Sequence, residues 1–270
     1  MLRIRSERTC MNFGKNVKIT TNEKCTQNTR VLGMIQKVWK LLLQLLFPLH
    51  CPVCDGIVRP FGEKICLKCL RELKPLTAPW CMKCGKKMLT EGEFCRDCRQ
   101  REHKYIRGRA LYEYGSAAPS IYRLKYGNRQ EYADFFGEEM ARYLGGFIKE
   151  CRPDAIVPIP LHRRRQRKRG YNQAQLLADA LGHYTGVPVR GDLLRRVKNT
   201  APLKRQNAYE RQNNLKKAFI IAQNDVKLDT IIIVDDIYTT GSTVDEAAAV
   251  LLQHGVKRVF YVALACGAGV

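Results

Sequence analysis

Four C-x-x-C pairs crowd into residues 51–98, and no other feature of the chain restricts its folding so tightly. The spacings are C-x2-C-x11-C-x2-C for Cys51, Cys54, Cys66 and Cys69, and C-x2-C-x10-C-x2-C for Cys81, Cys84, Cys95 and Cys98. Each pair makes a tight knuckle with converging thiolates, and two knuckles complete a tetrahedral metal site. Redox pairs or an iron–sulfur cluster would also use cysteines, but four repeats in so short a segment favour structural zinc, with two ions ahead of one. Sequential pairing of the knuckles is the simplest arrangement; interleaved pairing stays open. Gly56, Gly62, Gly85 and Gly92 suit the turns, and His103, just beyond, reads as a surface residue rather than a ligand. All-sulfur sites leave no open position for catalysis, so this module is scaffolding and a candidate partner surface.

The remainder of the chain has a different texture. Residues 1–33 are polar, basic and aperiodic, and read as a disordered arm or an over-extended translation start. "MIQKVWKLLLQLLFPLH" then predicts an amphipathic helix over 34–50, whose apolar run is too short to span a bilayer. The opening residues have no apolar core of a secretory signal, so a reducing cytoplasm is the expected setting for so many cysteines. From 105 onward an α/β pattern begins. "YIRGRALYEYG" suggests a strand pair, and 137–148 has helical spacing. "DAIVPIP" (154–160) is a short buried strand, and "NQAQLLADALGHYTG" (172–186) is a helix with Ala174, Leu177, Ala178 and Leu181 on one face. "AFIIA", "TIIIVDD", a helix and "RVFYVALA" follow. Continuous apolar strands alternating with helices predict a parallel sheet covered by helices on both faces, over 105–270.

The stretch "IIIVDDIYTTGST" (231–243) carries the chemistry. A strand over Ile231–Val234 would deliver Asp235 and Asp236 at its C-terminal end, where ligands bind in open α/β sheets. The turn Ile237, Tyr238, Thr239, Thr240, Gly241, Ser242, Thr243 can aim backbone N–H groups and hydroxyls at an anion, with a helix N-terminus behind them. Two carboxylates beside a phosphate cradle suit vicinal hydroxyls, so a sugar phosphate fits better than a free phosphate. An ordinary helix cap with two solvated aspartates would explain one residue of the thirteen.

Charge supplies a second theme. Lys and Arg number 47 against 25 Asp and Glu, a surplus of +22 that favours polyanions. Six cations (Arg163, Arg164, Arg165, Arg167, Lys168 and Arg169) fall in a predicted loop at 161–170, more than one small phosphorylated ligand needs. Tyr171 beside them is a candidate for stacking on an exposed base. Arg195, Arg196, Lys198, Lys204, Arg205 and Arg211 form a further basic set, 199–214 would be a flap, and Lys125 is a weaker ligand candidate. A solvated basic face is the plain alternative for all of these.

The stretch 231–243 matches the phosphoribosyl-diphosphate signature of type I phosphoribosyltransferases. Together with the cysteine module, "LKYGNRQEYADFFGEEMARYL" (124–144), "VPIPLHRRRQRKRGYNQAQLLA" (157–178) and "NTAPLKRQNAYERQNNLKKAF" (199–219), it makes residues 34–270 resemble the ComF family of competence proteins, also seen as GntX-like proteins. Leu203 and Gln206 depart from that family's pattern. The resemblance implies a zinc ribbon joined to a type I phosphoribosyltransferase-like sheet, binding phosphoribosyl diphosphate with Mg²⁺. Asp235 and Asp236 would orient the ribose, residues 237–243 would hold the 5′-phosphate, and the loop after the 156–159 strand would meet the diphosphate. It further implies a role in natural transformation beside other DNA-uptake proteins, with single-stranded DNA as partner. An active salvage phosphoribosyltransferase is the alternative. Its acceptor is unidentified, and its hood would have to come from 99–150 or the zinc module.

Overall fold

The computed structural model describes residues 48–60, 62–88, 92–198, 218–222 and 227–267. The expected helix over 34–50, apart from its last three residues, and the flap over 199–214 lie outside the described residues, as do Lys204, Arg205 and Arg211. From the end of the cysteine module the chain runs through β1 (Gly108–Glu113), α3 (Tyr114–Tyr126), α4 (Tyr132–Cys151) and β2 (Ala155–Pro158). Two short helices precede these in the module, α1 (Leu67–Glu72) and α2 (Arg96–Gln100). Next come α5 (Arg163–Arg169), α6 (Gln173–Thr185), β3 (Leu194–Arg196) and β4 (Phe219–Ile221). The chain ends in β5 (Thr230–Tyr238), α7 (Ser242–Gln253) and β6 (Arg258–Cys266).

Strands β1, β6, β5 and β2 form one parallel sheet in that order. The apolar run of β5 is buried on both faces because helices cover both. Ile232 and Val234 enter a core shared with α4 and α6, whereas Ile231 and Ile233 enter a core shared with α7. The face predicted for the 172–186 segment is the one that packs: Ala174, Leu177, Ala178 and Leu181 are all buried. The cysteine module divides between the same two cores. Its first half (Cys51, Val58, Ile65, Cys69) joins the α4/α6 side and its second half (Cys81, Cys84, Met88, Cys95) joins the α7 side.

Four expectations need correction. Residues 105–115 make no strand pair; only β1 forms, as an edge strand beside β6, and α3 follows directly. The "AFIIA" strand is not in the parallel sheet, because β4 pairs antiparallel with β3 in a separate two-stranded ribbon. The basic segment is a helix, α5, opened by the His162 ring accepting from the Arg164 N–H (3.3 Å) and closed by left-handed Gly170 (φ 83°). Arginine and lysine are good helix formers, and charge run alone does not distinguish a solvated helix from a loop. Finally, β5 does not stop at Val234 but continues through both aspartates to Tyr238. Among the described residues, no helix is long and apolar enough to cross a membrane.

Close approach of α4 to α6 depends on Gly137: a Cβ there would lie 2.3 Å from that of Ala180. Gly137→Ala should therefore push the helices apart and cost about 1–3 kcal/mol, read as a lowered urea midpoint at unchanged slope.

Candidate functional site

The register of β5 creates the site. Pro158 of β2 pairs with Val234, and there β2 ends, whereas β6 stays beside β5 as far as Tyr238. Beyond Val234 the β2 side of β5 is therefore open, and Asp235 and Asp236 stand in the notch. A cleft of about 370 Å³ fills it, within the usual range for small-molecule sites. Its floor is Asp235, Asp236 and the turn into α7; its walls include Lys125 and Tyr126 from α3, Arg165 and Arg169 from α5, and Arg196 from β3.

The acids are not the solvated pair a sheet edge would give. Asp236 is buried and forms an ion pair with Lys125 at 2.6 Å, which brings that lysine into the site. Asp235 opens partly to the cleft and accepts from the Asp236 N–H (2.8 Å), but protein surrounds the rest of it. Burial, reinforced by the Asp236 charge, pushes its pKa up to about 7 against the opposing pull of Lys125 and Arg196. Burial and the neighbouring Arg165 push the Arg196 guanidinium down, as burial and Arg169 do for Arg165. Cations are thus packed close to one another on the wall facing the acids, an arrangement that favours an anionic ligand.

Gly241 is the pivot of the turn. It is left-handed (φ 79°), and a Cβ on it would meet the Tyr238 hydroxyl oxygen at 2.5 Å, so glycine is needed for conformation and for space. Thr239, Gly241 and Thr243 line the cleft, as do Ile237 and Tyr238. The Thr240 and Ser242 hydroxyls face each other at 3.0 Å. Within α5 the six cations divide: Arg165 and Arg169, one turn apart, line the cleft, while Arg163, Arg164, Arg167 and Lys168 are exposed. Tyr171 offers no stacking surface. It is buried, and its hydroxyl donates to the Leu124 carbonyl at 2.7 Å. Arg195 and Lys198 are exposed away from the cleft lining.

The eight cysteines of the module gather sequentially into two groups, Cys51/Cys54/Cys66/Cys69 and Cys81/Cys84/Cys95/Cys98, each with its sulfurs within 4.8 Å of one another. A tetrahedron of Zn–S bonds of about 2.3 Å requires sulfurs about 3.8 Å apart. Cys54 and Cys66 are 3.8 Å apart and Cys84 and Cys95 3.6 Å, so the donor sets fit zinc. The thiols compete for protons: hydrogen bonds from Cys84 and Cys98 hold Cys81 well down, and the same contact with Cys81 drives Cys84 far up. Four thiolates at this separation need a cation among them.

Each group braces a different side of the cleft. At the first, the Arg123 guanidinium donates to the Val53 carbonyl (2.7 Å) and Asp55 pairs with Arg129 (3.2 Å), tying the knuckle to the end of α3 that carries Lys125. At the second, the Tyr261 hydroxyl donates to the Cys84 carbonyl (2.5 Å) and its ring stacks on Tyr238 at 4.6 Å. Arg101 donates to the Thr240 carbonyl (3.2 Å) and approaches the Ser242 hydroxyl at 3.4 Å. His103 is not on the surface. Its ring is buried, bonded through Nδ1 to Asp245 of α7 (2.8 Å) and stacked on Tyr105 (4.8 Å). Arg101 and His103 carry no motif of their own, whereas Tyr126 lies within the 124–144 stretch but is not singled out there.

Comparison with known proteins agrees with this division. The double zinc ribbon domain family matches residues 42–99, and the phosphoribosyl transferase domain family matches 183–268. Competence protein F of Haemophilus influenzae is 30% identical over 223 residues, covering 79% of this chain and 95% of that protein. Competence protein ComFC of Bacillus subtilis is 30% identical over 232 residues, covering 77% and 90%. DNA utilization protein YhgH of Salmonella typhimurium is 32% identical over 223 residues, covering 80% and 96%.

Two outcomes are expected. Cys51→Ser and Cys81→Ser should each lower zinc content by elemental analysis. Amide exchange should then rise in α3 for the first variant and in 238–243 for the second; equal effects on both segments would show that the groups do not brace separate walls. The second outcome concerns pH. The folded-state pKa of Asp235, about 7, exceeds its unfolded value of about 3.9, so the folded chain binds that proton more tightly. Its contribution to stability is full below about pH 4 and is lost as pH rises through about 7. Asp235→Asn removes the ionisation, so the melting temperature of the variant relative to the parent should be higher at about pH 8 than at about pH 5.

Proposed function

Because the chain belongs to the ComF family of competence proteins, we propose that its cleft binds phosphoribosyl diphosphate with Mg²⁺ and that the outward face of α5 binds single-stranded DNA during natural transformation. One observation carries the first half: two carboxylates, a left-handed glycine turn rich in hydroxyls, and Arg165 and Arg196 all open into one cleft. Each part suits a different piece of that ligand. Asp235 and Asp236 accept hydrogen bonds from the vicinal ribose hydroxyls, which only a charged or strongly polar acceptor pair can orient together. The turn 239–243 and the start of α7 take the 5′-phosphate through backbone N–H groups, hydroxyls and the helix dipole. Arg165 and Arg196 suit the diphosphate, as guanidinium forks match phosphate oxygens. A pair of carboxylates is too few for an all-protein Mg²⁺ cage, which suits an ion that keeps its waters and comes with the diphosphate, neutralising part of its charge. Ribose hydroxyls bonded to Asp235 favour its ionised form, so ligand affinity gains as pH rises through the pKa of that group.

The second half rests on how the cations of α5 divide. Arg165 and Arg169 suffice for the cleft, and Arg163, Arg164, Arg167 and Lys168 are left as an exposed row on the same helix. With a net charge of +22, such a row suits a polyanion strand, in keeping with relatives named for competence and DNA utilization.

Calorimetry and salt titration test both halves. Replacing Asp235 and Asp236 by Asn should abolish phosphoribosyl diphosphate binding while single-stranded DNA still binds; unchanged affinity for the sugar diphosphate would sink the assignment. Replacing Arg163, Arg164, Arg167 and Lys168 by Ala should do the reverse. Each phosphate neutralised contributes a log–log salt slope of roughly −0.7, so four contacts give about −3, and this slope should flatten in the variant. Superimposable salt curves would reduce the row to a solvated face.

A further inference from the structure

With Tyr171 in the core, aromatic surface near the basic helix comes instead from α3. Tyr122 and Tyr126 lie one turn apart on that helix and are 63% and 66% exposed, the two most exposed large apolar side chains among the described residues. Their ring centroids are 5.1 Å apart with planes tilted by 49°. The Arg169 guanidinium of α5 lies over the Tyr126 ring, 4.9 Å from its centroid, and the Gln173 side-chain carbonyl accepts from the same guanidinium. Tyr126 also lines the mouth of the cleft. Two exposed rings in line, one of them held by an arginine from the exposed basic helix, are an unusual use of surface: they bury little and support no core.

We propose that the Tyr122–Tyr126 face of α3 is a base-stacking platform for single-stranded nucleic acid. The sugar–phosphate backbone follows the outward cations of α5, and one base stacks at the cleft mouth on Tyr126. This inference rests on the reading of α5 as a single-strand site and adds to it what the strand's bases touch. Bases offer a π face whatever their sequence, so an aromatic pair beside a basic row binds without sequence preference. The occupant is a polyanion rather than a second copy of this chain, because two surfaces of a protein with net charge +22 repel at this basic edge. Arg169 joins the two components: it contributes positive charge from α5 and fixes the ring on which a base would lie.

Fluorescence anisotropy of the full chain with a short single-stranded oligodeoxythymidine, and with an abasic oligomer of equal length, tests this. The parent should bind the intact strand roughly ten-fold or more tighter than the abasic one, the scale of base–aromatic stacking. Tyr122→Ala with Tyr126→Ala should erase that preference while leaving the salt slope unaltered, because no charge has been removed. Phenylalanine at both positions should preserve the preference. Zinc content and melting temperature report whether the alanine variant is folded. If the parent binds intact and abasic strands equally, with a steep salt slope in both, the platform is refuted while the α5 site stands. If neither strand binds, the reading beneath it fails and the platform fails with it.

Discussion

The mismatch in length between β5 and β2 is the constraint on which the rest depends. A strand buried on both faces has to be apolar, and Ile231–Val234 meets that demand between β2 and β6. Once β2 turns away after Pro158, β5 continues with a neighbour on one side only. Carboxylates become tolerable there, because the open side admits Lys125 and, in the proposed complex, a ligand. Burial has not vanished at that point, which is why Asp235 is driven up to about 7 while Asp236 needs Lys125 at 2.6 Å. The notch is therefore an electrostatically costly place in the unliganded protein. It is stabilised by the cores on either face of the sheet rather than by itself.

Those cores explain the cysteine module. Among the described residues four long helices pack on the four-stranded sheet, and the two halves of the module add apolar side chains to one core each. Metal-closed knuckles suit the task, since four thiolates around one ion hold a short, loop-rich segment without a core of its own. The two halves do not perform the same job. The first, through Val53 and Asp55, fixes the end of α3; the second, through Cys84, Arg101 and His103, fixes the turn before α7. Two walls of one cleft are thus referred to two separate four-cysteine groups. A rigid brace of this kind holds binding groups that loops alone would leave loose.

Much of this was legible in the residues. Cysteine spacing marked out the four knuckles, because two intervening residues leave little geometric freedom, and it made sequential grouping the simplest arrangement; folding decided it against interleaving. Apolar runs determined the parallel sheet and the buried face of α6, and "DDIYTTGST" determined a carboxylate pair beside a glycine turn at its edge. What failed, failed for lack of local signal. "AFIIA" is apolar enough for a central strand, and only tertiary pairing sends it to β3 instead. Tyr171 follows a basic run as a stacking residue would, yet the turn after Gly170 points it inward to the Leu124 carbonyl.

By itself, then, the sequence determined the central apolar strands, the cysteine knuckles and the chemical character of the turn, all properties set by neighbours a few residues apart. Tertiary structure alone decided which cations serve the cleft. Helical phase turns Arg165 and Arg169 inward and leaves Arg163, Arg164, Arg167 and Lys168 to solvent, a division that composition cannot express. It also decided that Lys125 meets Asp236 across 111 positions of chain, that Arg101 reaches Thr240, and that Asp235 sits deep enough to hold its proton near neutrality. These are outcomes of packing between distant segments. Burial and charge act through space, and the sequence records only the order along the chain.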